Sequence, residues 1–104
     1  MIVRTWHGRT NASDAEIYRD YMIRTGIQEL RSTPGNLGVQ YWVRKEGDIA
    51  HTWIVSWWKD YESIRGFAGE NIEIPRYYEE DKKYLLELEP LVQHAEVWDF
   101  RPAD

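Results

Sequence analysis

Leu37-Gly38-Val39-Gln40-Tyr41-Trp42-Val43-Arg44, followed by the turn Lys45-Glu46-Gly47-Asp48 and the return Ala50-His51-Thr52-Trp53-Ile54-Val55-Ser56-Trp57-Trp58, decides the fold. The first run has period two. Leu37, Val39, Tyr41 and Val43 form an apolar face, alternating with Gly38, Gln40, Trp42 and Arg44. The second run is rich in β-branched and aromatic residues, which suit a pleated, half-buried surface. Two such runs joined by a short polar turn make an antiparallel hairpin. Trp57 and Trp58 are adjacent on a strand, so they point to opposite faces. One is expected against helices and the other toward a partner sheet.

Upstream of the hairpin, Ser32-Thr33-Pro34-Gly35-Asn36 reads as a turn. Before it, Ser13 is expected to cap a helix, with Glu16 three residues later closing a capping box. Tyr18, Met22, Gly26 and Leu30 then form an i, i+4 stripe. Gly26 costs a helix interior up to about 1 kcal/mol relative to Ala. It marks either a close approach by a neighbour or ligand, or a helix fraying before Pro34-Gly35. Ile2 to Gly8 reads as the first strand, with Ile2, Arg4 and Trp6 on one face and Val3, Thr5 and His7 on the other.

Downstream, Asp60 is expected to cap a second helix whose apolar side is Tyr61, Ile64, Phe67 and Ala68 and which Gly69 ends. Asn71 to Arg76 is a loop. Tyr77 to Leu88 is expected as a third, shorter helix closed by Pro90. Leu91 to Phe100 is expected as the last strand, with Val92, His94, Glu96, Trp98 and Phe100 on one face.

The resulting order, β-α-β-β-α-(α)-β, is the split βαβ or ferredoxin-like pattern. It is an α+β fold in which a four-stranded antiparallel sheet carries its helices on one face. The other face would bear several aromatics, a large apolar patch for a monomer. Pairing two such sheets in a symmetric homodimer removes it. The 104 residues fit a single domain spanning 1–104.

Composition narrows the function. Thirteen basic residues against eighteen acidic ones give a net charge of −5, which lacks the basic footprint of nucleic-acid or anionic-membrane binding. There is no cysteine, hence no disulfide, thiolate ligand or thiol nucleophile. Met1 to Gly8 contains no apolar signal core, and no apolar run approaches the roughly 20 residues of a membrane span. A cytoplasmic location is the expectation. The six Trp and seven Tyr carry a polar atom on an apolar body, which suits a dimer seam, a ligand pocket, or both.

Several segments then carry a likeness: Trp6-His7-Gly8, Pro34-Gly35-Asn36-Leu37-Gly38, Ser56-Trp57-Trp58 and Phe67-Ala68-Gly69. Arg76-Tyr77-Tyr78 with Asp81, Leu85-Leu86, and Val92-Gln93-His94-Ala95-Glu96-Val97 continue it. Through these the chain, from about residue 2 to 100, resembles the dimeric α-β barrel superfamily and, within it, the antibiotic biosynthesis monooxygenase-like proteins. The resemblance implies a helix-side cavity lidded by the segment around Tyr77 and Tyr78. It also implies cofactor-independent oxygenation of a phenolic or quinol-like ring. Haem-degrading relatives combine a first-strand Asn, a second-helix Trp and a following-helix His. Here those places hold Trp6 and His7, Phe67, and no His between residues 70 and 89, which argues against haem ligation of that kind. A Tyr that often follows the last-strand His is replaced by Ala95.

Candidate chemistry centres on the histidines. His94 lies two residues from Glu96 on one strand face, about 6.5–7 Å away, and a nearby carboxylate would raise its pKa. It reads either as a general base or as a histidine satisfied in the dimer seam. His7, at the end of the first strand, is a second candidate base. His51 is expected to be solvent-exposed. Arg4, in a strand interior, is expected to pair with Glu96 or Asp99, or else to contact an anion. Trp6, Arg4, Tyr77, Tyr78, Glu96, Trp57 and Trp58 are the candidate substrate contacts, although core packing is the simpler reading of the tryptophan pair. No H-x-x-x-H, H-E-x-x-H or cysteine pattern is present, so neither a metal site nor a cofactor is expected. The expectation is a monooxygenase acting on a small aromatic molecule. The alternative is a non-catalytic binding protein for a small aromatic or haem-like ligand.

Overall fold

The computed structural model describes residues 1–104. Four strands and four helices follow in the order β1 (Ile2–Asn11), α1 (Ala15–Arg24), α2 (Gly26–Ser32), β2 (Asn36–Glu46), β3 (Ile49–Trp58), α3 (Tyr61–Ala68), α4 (Asp81–Tyr84) and β4 (Gln93–Glu96). The sheet order is β2-β3-β1-β4, antiparallel throughout. This is the ferredoxin-like arrangement expected from the element order. The hairpin closes tightly because Gly47 adopts φ 60°, a conformation that suits the short turns favoured between twisted strands.

Strand parity sorts the side chains. Pairings Ile2↔Trp58, Arg4↔Ser56 and Trp6↔Ile54, with Tyr41↔Ile54 on the other side of β3, set the helix-covered face. Val3↔Trp57, Thr5↔Val55, His7↔Trp53 and Trp42↔Trp53 set the open face. Trp58 is fully buried and packs toward Phe67 of α3, and its indole donates to Ser56 Oγ at 2.8 Å. Trp57 lies on the open face. The core is built from Ile2, Trp6, Ile54 and Trp58 of the sheet with Tyr18, Met22, Leu30, Ile64 and Phe67 of the helices.

Asp60 caps α3 as expected, accepting from Ser63 N at 2.8 Å. Four other expectations require correction. First, the Ser13–Glu16 capping box does not form. β1 runs on to Asn11, Ala12 N bonds Asp48 O at 2.7 Å, and a 3-10 turn at Ala12–Asp14 delays the helix start to Ala15. Second, the long first helix is broken at Thr25, whose ψ of −91° is not helical. Third, Tyr77–Leu88 is not one helix, since only Asp81–Tyr84 is helical. Residues beyond it pair with the outer edge of β1, through a Thr10–Leu85 bridge and a Leu86 N to Arg9 O bond of 2.9 Å. Fourth, β4 is limited to Gln93–Glu96. No helix is long and apolar enough to cross a membrane.

Candidate functional site

Between the sheet and the helices lies a small cavity of about 30 Å³, lined by residues that include Arg4, Trp6, Ser56, Phe67, Tyr77, Tyr78 and Asp81. Arg4 and Trp6 reach it because β1 alternates them onto the helix face. Tyr77 and Tyr78 reach it from the outer side, in the segment Pro75–Asp81. That segment is held at two points. Asp81, 1% exposed, accepts from Tyr18 Oη of α1 at 2.8 Å and from the backbone N–H of Tyr78. Burial pushes its carboxyl above the ordinary range, while those two donors oppose the shift. At the other point, Glu29 of α2 accepts from Tyr78 Oη at 2.6 Å and pairs with Arg76 at 3.1 Å.

Gly26 is where this wall meets the helices. A Cβ there would lie 3.3 Å from both the Tyr78 ring and Met22 Cε, so the close approach, not fraying, explains this glycine. Trp6 Nε1 donates to Tyr77 Oη at 3.4 Å, and that hydroxyl donates to Glu89 O at 2.6 Å.

Arg4 is 4% exposed and makes no salt bridge. Its Nη1 donates to Ile72 O at 2.5 Å and lies 2.9 Å from His94 Nε2. Its guanidinium sits over the Phe67 ring at 5.7 Å. The expected pairing with Glu96 or Asp99 is therefore absent. Glu96 accepts from Trp98 Nε1 at 2.7 Å and Asp99 pairs with Arg101, both at the exposed rim. Burial lowers the Arg4 pKa to about 10, which leaves it charged at neutral pH.

The expected effect of Glu96 on His94 is likewise reversed. Burial lowers the His94 pKa below 6.5 and the Arg4 charge lowers it further, with the Glu73 carboxylate opposing the shift. The imidazole is held neutral, with its Nε2 lone pair directed at Arg4. In this hydrogen-bonding state the ring proton sits on Nδ1. His94 is not in the cavity wall. It touches Arg4 from the β4 side, with Tyr61 edge-on to its ring.

The remaining candidates lie elsewhere. His7 is on the open face, where its Nδ1 lies 2.6 Å from Glu89 Oε2 and its Nε2 lies 2.9 Å from His51 Nδ1. His51 is half-buried rather than solvent-exposed, with Nε2 3.5 Å from Glu46 Oε2, and both rings pack against Trp53. Trp57, Trp58, Glu96 and His7 do not line the cavity. Glu29 completes the site, together with Asp81, Arg76 and Ser56, which carry the family likeness but were not among the expected substrate contacts. Of these, Asp81 could have been found from its position three residues after Tyr78, a spacing at which a carboxylate reaches back to a free backbone N–H. No group of three or more metal-ligating side chains converges anywhere in the chain.

No family model and no curated protein matches the sequence. Solved structures do match. A Bacillus cereus protein provisionally named an antibiotic biosynthesis monooxygenase is 13% identical at a TM-score of 0.67, over 98% of this chain and 97% of its own. A point mutant of MhuD, with two manganese protoporphyrin IX molecules bound per active site, is 14% identical at 0.64, over 99% and 100%. Rv0793 from Mycobacterium tuberculosis is 13% identical at 0.55, over 98% and 100%. At these identities the likeness establishes the fold alone.

The residues present do not suit a porphyrin. The nearest imidazole, His94, points its free nitrogen at a guanidinium.

Proposed function

We propose that the chain is a cofactor-independent monooxygenase that oxidises a small hydroxyaromatic or quinol-like molecule in the sheet–helix cavity, with Arg4 and His94 at its chemical centre. The observation that carries this reading is the Arg4–His94 contact. It puts a neutral imidazole base beside a buried cation, at the edge of an aromatic-lined cavity. A phenol oxygen that takes over the Nη1–H contact of Arg4 frees the His94 Nε2 lone pair to accept the phenol proton. The resulting anion is stabilised by the guanidinium in a low-dielectric site. Trp6, Tyr77 and Tyr78 hold the ring. The cavity is small as it stands, so admission of a ring requires the Pro75–Asp81 segment to move outward.

For a substrate whose ring system contains a CH₂ carbon, the chemistry balances with O₂ as the only oxidant. The carbanion formed on deprotonation gives one electron to O₂, and the radical pair joins as a peroxide on carbon. The peroxide takes the proton back from His94. Loss of the second C–H proton with departure of hydroxide leaves a carbonyl and water. One oxygen atom ends in the product and one in water. Incubation under ¹⁸O₂ with an anthrone and quinol panel, without added flavin, haem or metal, tests this. For an anthrone, one ¹⁸O per product molecule is expected, in the newly formed carbonyl, with the other in water. Absence of oxygen consumption with every member of the panel would remove the reading.

We further propose that the open sheet face is the seam of a homodimer. Leu37, Trp57 and Phe100, with Met1, Gln40 and Val97, line an apolar groove of about 300 Å³ there. Leu37 is 59% and Phe100 75% exposed, apolar surface that pairing of two copies would cover. Sedimentation equilibrium should give twice the chain mass for the wild type. A monomer at micromolar concentration would contradict the seam. The cysteine-free composition fits work in the cytoplasm, which cell fractionation tests.

A further inference from the structure

We infer that the free edge of Arg4 is an anion subsite, and that the molecule taken by the cavity is a hydroxyaromatic acid bearing a carboxylate beside its phenol. This rests on the cavity being the ligand site, as proposed above, but not on the oxygen chemistry.

A guanidinium has five N–H donors in a planar fork. In Arg4 one terminal nitrogen, Nη1, is spent on Ile72 O and His94. The Nε and Nη2 groups make no hydrogen bond within the chain, although Arg4 is 4% exposed and lines the cavity. Nε–H and Nη2–H lie side by side on one edge, the geometry that grips the two oxygens of a carboxylate.

The charge balance points the same way. A buried cation without a bonded carboxylate is costly, and Arg4 has none: Glu73, whose charge is felt at His94, makes no salt bridge to the guanidinium, and the other acids at the cavity are taken up elsewhere. Glu29 is committed to Arg76 and Tyr78. Asp81 is committed to Tyr18 and Tyr78. The neighbour on the remaining side, His94, is neutral. An incoming carboxylate on the Nε–Nη2 edge supplies the missing charge. It also leaves the Nη1 side, next to His94 Nε2, for the phenol oxygen of the same ring.

The test is a matched pair that differs only in charge: 2-hydroxybenzoate and 2-hydroxybenzamide, titrated calorimetrically into the intact protein under argon. The benzoate should bind at least about tenfold more tightly, since hydrogen bonds to charged groups exceed neutral ones by about that much. The Arg4 Nε–Hε NMR signal, identified by its loss in Arg4→Lys, should shift downfield on binding. Arg4→Met should abolish the preference for the acid, and Arg4→Lys should recover only part of it because an ammonium cannot grip both oxygens. Equal affinity for the two compounds, or no binding of the benzoate by the wild type, overturns the inference; the wild-type comparison needs no variant to fold. Charge-selective binding without oxygen uptake on any acid tried would keep the subsite and discard the oxygenase reading.

Discussion

The two faces of the sheet each hold a histidine in a hydrogen-bonded pair, and the pairs have opposite charge settings. On the helix face His94 meets a guanidinium, 2.9 Å away, with no carboxylate bonded to either partner. On the open face His7 meets the Glu89 carboxylate at 2.6 Å and a second imidazole at 2.9 Å. The first setting disfavours the imidazolium and keeps a lone pair available. The second gives His7 a carboxylate partner on Nδ1 and an imidazole partner on Nε2, leaving neither ring nitrogen free. The difference teaches that a histidine's location on a strand says little about its chemistry until its partner's sign is known. The faces also differ in what covers them. Helices seal Trp58, whereas only a second chain could seal Trp57.

That contrast can be broken at several points. The largest effect is expected at the tryptophan pair. Trp58→Ala should cost about 3–5 kcal/mol of folding stability in urea titration, the usual loss for a buried large aromatic. Trp57→Glu should cost much less than that and instead shift sedimentation toward the monomer. Similar losses at both positions would mean that the two faces are not covered differently.

Next is the cavity wall. Asp81→Ala strands the buried Tyr18 hydroxyl and the Tyr78 N–H, and should destabilise by roughly 2–3 kcal/mol. Amide exchange should rise first in Tyr77–Tyr84, the segment it anchors. Arg4→Met removes two hydrogen bonds and one uncompensated buried charge, effects of opposite sign. Its net change should stay under about 1 kcal/mol, even though it destroys the site.

The smallest effect is on pH dependence. The His94 pKa is lower in the folded chain than its ordinary 6.5, so the unfolded chain takes up the proton first as pH falls. The contribution to stability is complete above pH 6.5 and is lost as pH drops through that value toward the folded pKa. His94→Gln, which keeps an acceptor for Arg4, should flatten that part of the stability profile. His94→Gln with an unchanged acid limb would show that the imidazole does not titrate this way.

Much of this was legible in the residues. Period-two alternation gave the hairpin, the helix face of β1 and the opposed directions of Trp57 and Trp58. Asp60 with Ser63 marked a helix start correctly because its capping bond is local. The errors came where a distant partner overrode a local signal. Asp48 holds Ala12 and delays the first helix past Ser13. Asp81, tied to α1 through Tyr18, delays the helix of the Tyr77–Leu88 pattern to Asp81 itself, and the unpaired edge of β1 takes up Leu85–Leu86 and so ends it after one turn. In the site, parity brought Arg4 and Trp6 to the cavity. It also put Glu96 on their side of the sheet but could not show that Glu96 lies at the rim, bonded to Trp98. The partners of Arg4 were hidden for the same reason, since one is the backbone carbonyl of Ile72, which no side-chain pattern records.

The account is tested most directly by oxygen uptake of the cofactor-free protein with hydroxyaromatic substrates, comparing His94→Ala with His7→Ala. Loss of about a hundredfold or more in the first, with the second within a few-fold of wild type, is the predicted result. Retained uptake in His94→Ala, with loss in His7→Ala, would move the chemistry to the open face and contradict the account.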